Sequence, residues 1–179
     1  KGNIVLQPVS VDPLQDYQGF SANGLRSYMD ESSGKKLWGY IDIHGESVVS
    51  PQFLFAGDFA RNGLARVTNR ELKTGYINSK GVFVISADLD CGYDFAPDGL
   101  ARVMRNGKWM FIESRGGVVL ESRYHPVTDF SPSGYAQVSD VDTYPSEGPC
   151  WGPYKRIDGE FSLGVIRNAS LESSGSIRK

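Results

Sequence analysis

The sequence predicts an all-β protein built from tandem three-stranded antiparallel β-meander repeats of about 35 residues, set in a solenoid-like array. Three observations carry this. A block of fixed spacing recurs along the chain. Glycine-containing turns fall at the same place in each block. No stretch shows sustained helical periodicity with caps.

The clearest copy is YDFAPDGLARVMRNGKWMFIESRGGVVL. With Phe95 as origin, Asp94 precedes it, and Gly99, Leu100 and Val103 follow. Trp109, Phe111 and Ile112 come next, then Gly116 and the pair Val119-Leu120. The same register fits Asp58-Phe59, Gly63-Leu64, Val67, Gly75-Tyr76-Ile77, Gly81 and Val84-Ile85. It also fits Phe20, Gly24-Leu25, Trp38-Gly39-Tyr40-Ile41, Gly45 and Val48-Val49. Asp129-Phe130, Gly134-Tyr135 and Val138 open a later copy, and Gly2 with Val5-Leu6 ends an earlier one. Gly45, Gly81 and Gly116 each stand 14 residues before a phenylalanine.

Local chemistry assigns the strands. Asn106-Gly107 supplies the two positive-φ positions of a type I′ turn, so Val103 and Trp109 sit on paired strands. Glu113–Gly116, Asp42–Gly45 and Asn78–Gly81 make the second turn of each unit. Alternation sends Trp109 and Phe111 to one face and Ile112 to the other. Both faces are then apolar, and neighbouring units must cover them. A propeller-like closed arrangement is the alternative, although about four copies of three strands are few for closure.

The expected organisation is a repeat array over residues 1–160, with copies at about 1–19 (partial), 20–58, 59–94, 95–129 and 130–160. Residues 161–179, where periodicity fades, form a divergent C-terminal cap or tail. Insertions fall between the valine strand and the tryptophan strand, as in Asp30–Lys36 and Ser139–Cys150, so they map to loops on one face.

The blocks Trp38-Gly39-Tyr40-Ile41-Asp42, Gly75-Tyr76-Ile77-Asn78, Gly63-Leu64-Ala65-Arg66-Val67 and Gly99-Leu100-Ala101-Arg102-Val103 resemble the bacterial WG-repeat family. The resemblance covers about residues 2–152 and specifies the repeat type. It names no activity, because proteins with such repeats do many things. Thr74 in place of tryptophan, Met110 in place of glycine, and the divergent copy after Trp151 depart from the pattern; the last implies a capping unit or the end of the array.

The whole chain sets further bounds. It has 179 residues, a net charge of −2, 40% hydrophobic and 22% charged residues, and a pI of about 5.7. The lack of basic excess argues against a nucleic-acid surface, and no apolar run is long enough for a membrane span. The chain opens inside a repeat, which suggests a trimmed or mature form or a piece of a longer protein. A bacterial cell-envelope or secreted location is favoured over the cytoplasm. Cys91 and Cys150 are read as unrelated thiols in loops, with a disulfide between adjacent units as the alternative.

Candidate sites follow from recurrence. Asp58, Asp94 and Asp129 could ladder calcium; the preferred role is accepting backbone N–H bonds in the turns that follow. Arg66, Arg102 and Gln137 share one repeat position and would form a polar stripe on the sheet, offered to an acidic or carbohydrate partner. The alternative for them is a solvated face of stacked aliphatic stems. Trp38, Trp109 and Trp151, with Tyr40, Tyr76 and Phe111, are expected in the core rather than on a sugar platform. His44 and His125 occupy different repeat positions, and the acid pairs Asp88/Asp90 and Asp140/Asp142 lie in loops. No catalytic motif occurs, so no catalytic residue, metal site or cofactor is assigned.

The functional expectation is a non-catalytic scaffold binding a protein or other macromolecule through insertion loops on one face. The binding residues assigned are Arg66, Arg102, Gln137, Lys35, Lys36, Arg70, Lys73 and Tyr144. A glycan or cell-wall-binding module is the alternative, and a hydrolase using loop carboxylates is the third reading.

Overall fold

A computed structural model describes residues 19–32, 34–122, 125–126, 128–131, 134–139 and 163–167. All regular structure among them is β. The strands are β1 (Arg26–Asp30), β2 (Leu37–Ile41), β3 (Ser47–Phe53), β4 (Phe55–Phe59), β5 (Ala65–Thr68), β6 (Thr74–Ile77) and β7 (Phe83–Leu89). They continue as β8 (Cys91–Gly92), β9 (Ala101–Arg105), β10 (Lys108–Ile112), β11 (Val118–Ser122), β12 (His125–Pro126), β13 (Tyr135–Ser139) and β14 (Leu163–Arg167).

These strands form consecutive antiparallel sheets: β1-β2-β3, β4-β5-β6-β7, β8-β9-β10-β11 and β12-β13-β14. We number them sheets 1 to 4. Among the described residues they follow one another in tandem and close into neither a barrel nor a propeller.

The meander is as expected, with one addition. The third strand of a unit does not stop at the unit boundary. β3 runs through Leu54 into β4, and β7 runs through Asp90 into β8, so one extended segment ends one sheet and begins the next. The middle sheets therefore have four strands, and they begin at Phe55 and Cys91, four residues before Phe59 and Phe95. β13 pairs with β14, Tyr135 opposite Arg167 and Ser139 opposite Leu163, so residues 163–167 of the expected cap or tail complete the fourth sheet. Trp151, the expected landmark of that strand, lies outside the described residues.

The core lies between sheets. Leu25, Tyr40, Val49 and Phe53 of the first unit pack with Ala56, Phe59, Ala65, Val67 and Ile77 of the second. Leu64, Tyr76, Ile85 and Leu89 pack with Phe95, Ala101, Val103, Met110 and Ile112. Leu100 and Phe111 pack with Phe130 and Ala136. Each middle sheet thus buries both faces, and β5 and β6 expose almost nothing. This is the arrangement that makes single units unstable and arrays stable.

One pair of residues recurs at each interface. Tyr40 meets Phe59 at 4.8 Å between ring centroids, Tyr76 meets Phe95 at 4.9 Å, and Phe111 meets Phe130 at 4.5 Å. The two tyrosines also donate a hydrogen bond across the boundary, Tyr40 Oη to Gly57 O at 2.6 Å and Tyr76 Oη to Tyr93 O at 2.5 Å. Burial raises the pKa of both phenols, so they stay protonated donors.

The glycine that follows tryptophan has a steric cause. A Cβ on Gly39 would run into Val49 O and lie 2.8 Å from Pro51 N. A Cβ on Gly75 would lie 2.8 Å from both N and Cα of Ala87. There the third strand bulges over the glycine: Trp38 pairs with Phe53 but Tyr40 with Val49, and Thr74 with Leu89 but Tyr76 with Ile85. In the third unit Met110 pairs with Glu121 in unbroken register between Trp109–Ser122 and Phe111–Leu120. The bulge is missing where its glycine is missing, which explains the departure at Met110.

Thr74, where tryptophan was expected, is buried at 1% exposure. Cys91 lies in β8 rather than in a loop. It is buried against Trp109 and engaged in a disulfide, so reading it as an unrelated thiol is corrected. Cys150, the other cysteine of the sequence, lies outside the described residues.

Candidate functional site

The arginines at the recurring position are not a solvent-facing stripe. Arg66 sits on β5 at 4% exposure, its Nε 2.9 Å from Asp94 Oδ1 and its guanidinium 4.1 Å above the Phe55 ring. Arg102 repeats this on β9, 2.7 Å from Asp129 Oδ1 and 4.1 Å above the Tyr93 ring. Each arginine thus joins its own sheet to the aspartate that opens the next unit, while the aromatic ring beside it covers the flat face of the cation. Gln137 cannot reproduce this charge pair. It is exposed, and its backbone N–H donates to Thr128 Oγ1.

This also corrects the role given to the aspartates. Asp94 and Asp129 bind the arginine of the preceding unit. Within the turns, Asn23, Asn62 and Asp98 accept the N–H of Leu25, Leu64 and Leu100. Asp58 is in no ion pair among the described residues, and the matching position of the first unit is Ser27.

Lys35, Lys36, Arg70 and Lys73 lie at hairpin tips, in the β1–β2 and β5–β6 connections. The β1–β2 connection carries Lys35, which is exposed, and Lys36, which stands 3.4 Å from Glu31. Both partners of that pair are largely solvated, so it adds little stability. The β5–β6 connection carries Arg70 and Lys73. Arg70 is exposed and in no ion pair among the described residues. Lys73 Nζ lies 2.6 Å from Asp90 Oδ1, and the second oxygen of Asp90 accepts the Gly107 N–H at 3.1 Å. Burial alone would raise the Asp90 pKa, but the bonds from Lys73 and Gly107 outweigh it and hold the carboxyl below its ordinary value. Asp88 likewise pairs with Arg105 at 3.0 Å. Tyr144 lies outside the described residues. The structure therefore separates the seven described residues of the eight assigned into interior ties (Arg66, Arg102), a partly committed Lys73, and exposed Lys35, Lys36, Arg70 and Gln137.

One residue at these tips was missed. Eight turns among the described residues share a hydrogen-bond pattern, with residue i donating to i+4 and residue i+3 donating to i. In seven of them position i+3 is glycine, with φ between +76° and +86°. In Asn69–Lys73 that position is Leu72, at φ +61° and 65% exposed. The sequence did hold the signal, since Asn69-Arg70-Glu71-Leu72 aligns with Asn78-Ser79-Lys80-Gly81.

Among the described residues, the repeated aromatics lie in the core, and Trp151 lies outside them. Tyr40, Tyr76, Trp109 and Phe111 are buried, and Trp38 is half-buried against the first core layer. No group of three or more histidine, cysteine, aspartate or glutamate residues positioned to hold a metal ion occurs among the described residues, and no helix there is long and apolar enough to cross a membrane.

The WG containing repeat model matches residues 38–72 and again 75–109. Residues 38–109 thus hold two tandem WG repeats. Each match runs from the tryptophan-position strand of one unit through the next unit's valine strand and hairpin tip. Each therefore spans one stacking interface with its aromatic pair and tyrosine hydroxyl bond. Neither a curated protein nor a solved structure matches the chain.

Proposed function

We propose that this chain is a non-catalytic scaffold that binds another macromolecule, a protein in the first place, through its hairpin tips. The observation that carries this reading is the contrast between the two kinds of charged residue. At repeated positions the charges are consumed by the fold, in Arg66–Asp94 and Arg102–Asp129. At the tips, where unit lengths vary, Lys35, Arg70 and Leu72 are left exposed. Conserving a core while varying exposed loops is how repeat proteins build contact surfaces. The disulfide at Cys91 fits an oxidising compartment such as the cell envelope or the exterior.

The test is site-specific photo-crosslinking. A crosslinker at Lys35 or Arg70 is expected to trap one defined partner, identifiable by mass spectrometry. A crosslinker at Gln52 or Glu121, exposed on the third strands, is expected to trap it far less. Equal yields from all four positions would overturn the assignment to the tips.

A further inference from the structure

We propose that the β5–β6 hairpin tip is a self-association site, in which Leu72 of one chain packs on Leu54 and Phe55 of a second copy about a two-fold axis. The argument begins with strain. A branched side chain at positive φ is disfavoured because its Cβ crowds the backbone, and the seven other turns of this pattern use glycine. Leu72 gains nothing in return within its own chain, since it stands 65% exposed. Strain kept at an exposed apolar residue points to a contact outside the chain.

The surroundings supply the other half of that contact. The Leu54 N–H donates to Thr68 O, and Phe55 pairs with Thr68, the last residue of β5. Leu54 and Phe55 are 39% and 37% exposed. Arg66 covers one face of the Phe55 ring, which leaves the rest of the ring to a partner. Knob and platform thus belong to one hairpin end, as an isologous interface requires.

Charge identifies the occupant as a second copy. Arg70 and Glu71 are adjacent, exposed and outside every ion pair among the described residues. A two-fold axis through the tip sets Arg70 against Glu71 of the second chain and Glu71 against its Arg70. A surface carrying both signs beside one apolar knob complements itself. A uniformly acidic or basic partner would leave one of the two charges opposed.

The inference uses one of the tips of the proposed scaffold, and the two can fail separately. A chain that self-associates but crosslinks to no other macromolecule overturns the scaffold reading alone, and the converse result overturns this one. The experiment is sedimentation equilibrium of the oxidised full chain over a wide concentration range. The wild type is expected to show a weak, concentration-dependent dimer, in keeping with a small interface. Leu72→Gly restores the residue of the other turns, so it keeps the fold. It is expected to weaken association by roughly tenfold or more, because two leucines leave the interface. Arg70→Glu alone and Glu71→Arg alone are each expected to weaken it, and the double exchange to restore it. A wild type that stays monomeric overturns the proposal, as does a Leu72→Gly chain that dimerises like the wild type, or a double exchange that fails to recover.

Discussion

Asp98 holds the turn position that Asn23 and Asn62 hold in the two preceding units, and like them it accepts the N–H of the leucine two residues on. Burial raises its pKa, and the nearby charge of Asp129 adds to the effect. A carboxyl with a raised folded pKa resists ionisation in the fold. Its stabilising contribution is present below the unfolded value of 3.8 and is lost as pH rises through the folded pKa. Asp98→Asn keeps the acceptor and removes the charge. It is expected to raise the melting temperature at pH 7 and to change it little at pH 3, which thermal melts at the two pH values will check. Asp90 has the opposite sign: its depressed pKa adds stability above 3.8 that is lost as pH falls through its folded value. The Arg66–Asp94 pair makes the sharper case. Asp94→Ala strands a guanidinium that is 4% exposed, and a cost of about 1–3 kcal/mol is expected in urea unfolding. The corresponding Asp58→Ala, which breaks no ion pair among the described residues, is expected to cost within about 0.5 kcal/mol.

At the scale of the element, turns and strands were legible because their causes are local. Asn106 and Gly107 both adopt positive φ, at 52° and 71°, as the type I′ turn between β9 and β10 requires. The bulge over Gly39 and Gly75 was not legible. Its cause is the approach of a strand eight or more residues away, and the sequence shows only a small residue, with no sign of what lies above it. The Arg–Asp ties were hidden for the same reason, since Arg66 and Asp94 are 28 residues apart and only the stack brings them together. The substitution at Met110 tests the steric account in both directions. Gly75→Ala drives a Cβ into the backbone of Ala87, and a loss of about 1–3 kcal/mol or more is expected. Met110→Gly creates no room that the chain uses. It removes a side chain 6% exposed from the second core layer, and about 2–5 kcal/mol should be lost. One residue type is thus required at two repeats and harmful at the third, and chemical denaturation of both variants would reveal it.

In the whole molecule, stability is a chain of nearest-neighbour interfaces, and they are unequal. The interface between sheets 2 and 3 has the Tyr76–Phe95 contact, the hydroxyl bond to Tyr93 O, the Arg66–Asp94 pair, the Lys73–Asp90 pair and the Arg105–Asp88 pair. The interface between sheets 1 and 2 keeps the ring contact and hydroxyl bond of Tyr40, and adds the bond from the Phe59 N–H to Ser21 Oγ. The interface between sheets 3 and 4 keeps Arg102–Asp129, but its aromatic is Phe111, which has no hydroxyl to donate. Amide exchange should therefore be slowest in β5, β6, β9 and β10 and faster in β1 and β13. Tyr76→Phe removes a single oxygen and with it the hydrogen bond to Tyr93 O, a loss of about 0.5–1.5 kcal/mol. Because that oxygen ties two sheets, exchange should accelerate in sheets 2 and 3 together. If the units instead fold as independent meanders, only β6 and its immediate neighbours would respond. Hydrogen exchange with mass spectrometry on wild type and Tyr76→Phe distinguishes the two. Coupled acceleration would identify the interface, rather than the sheet, as the cooperative unit of the array.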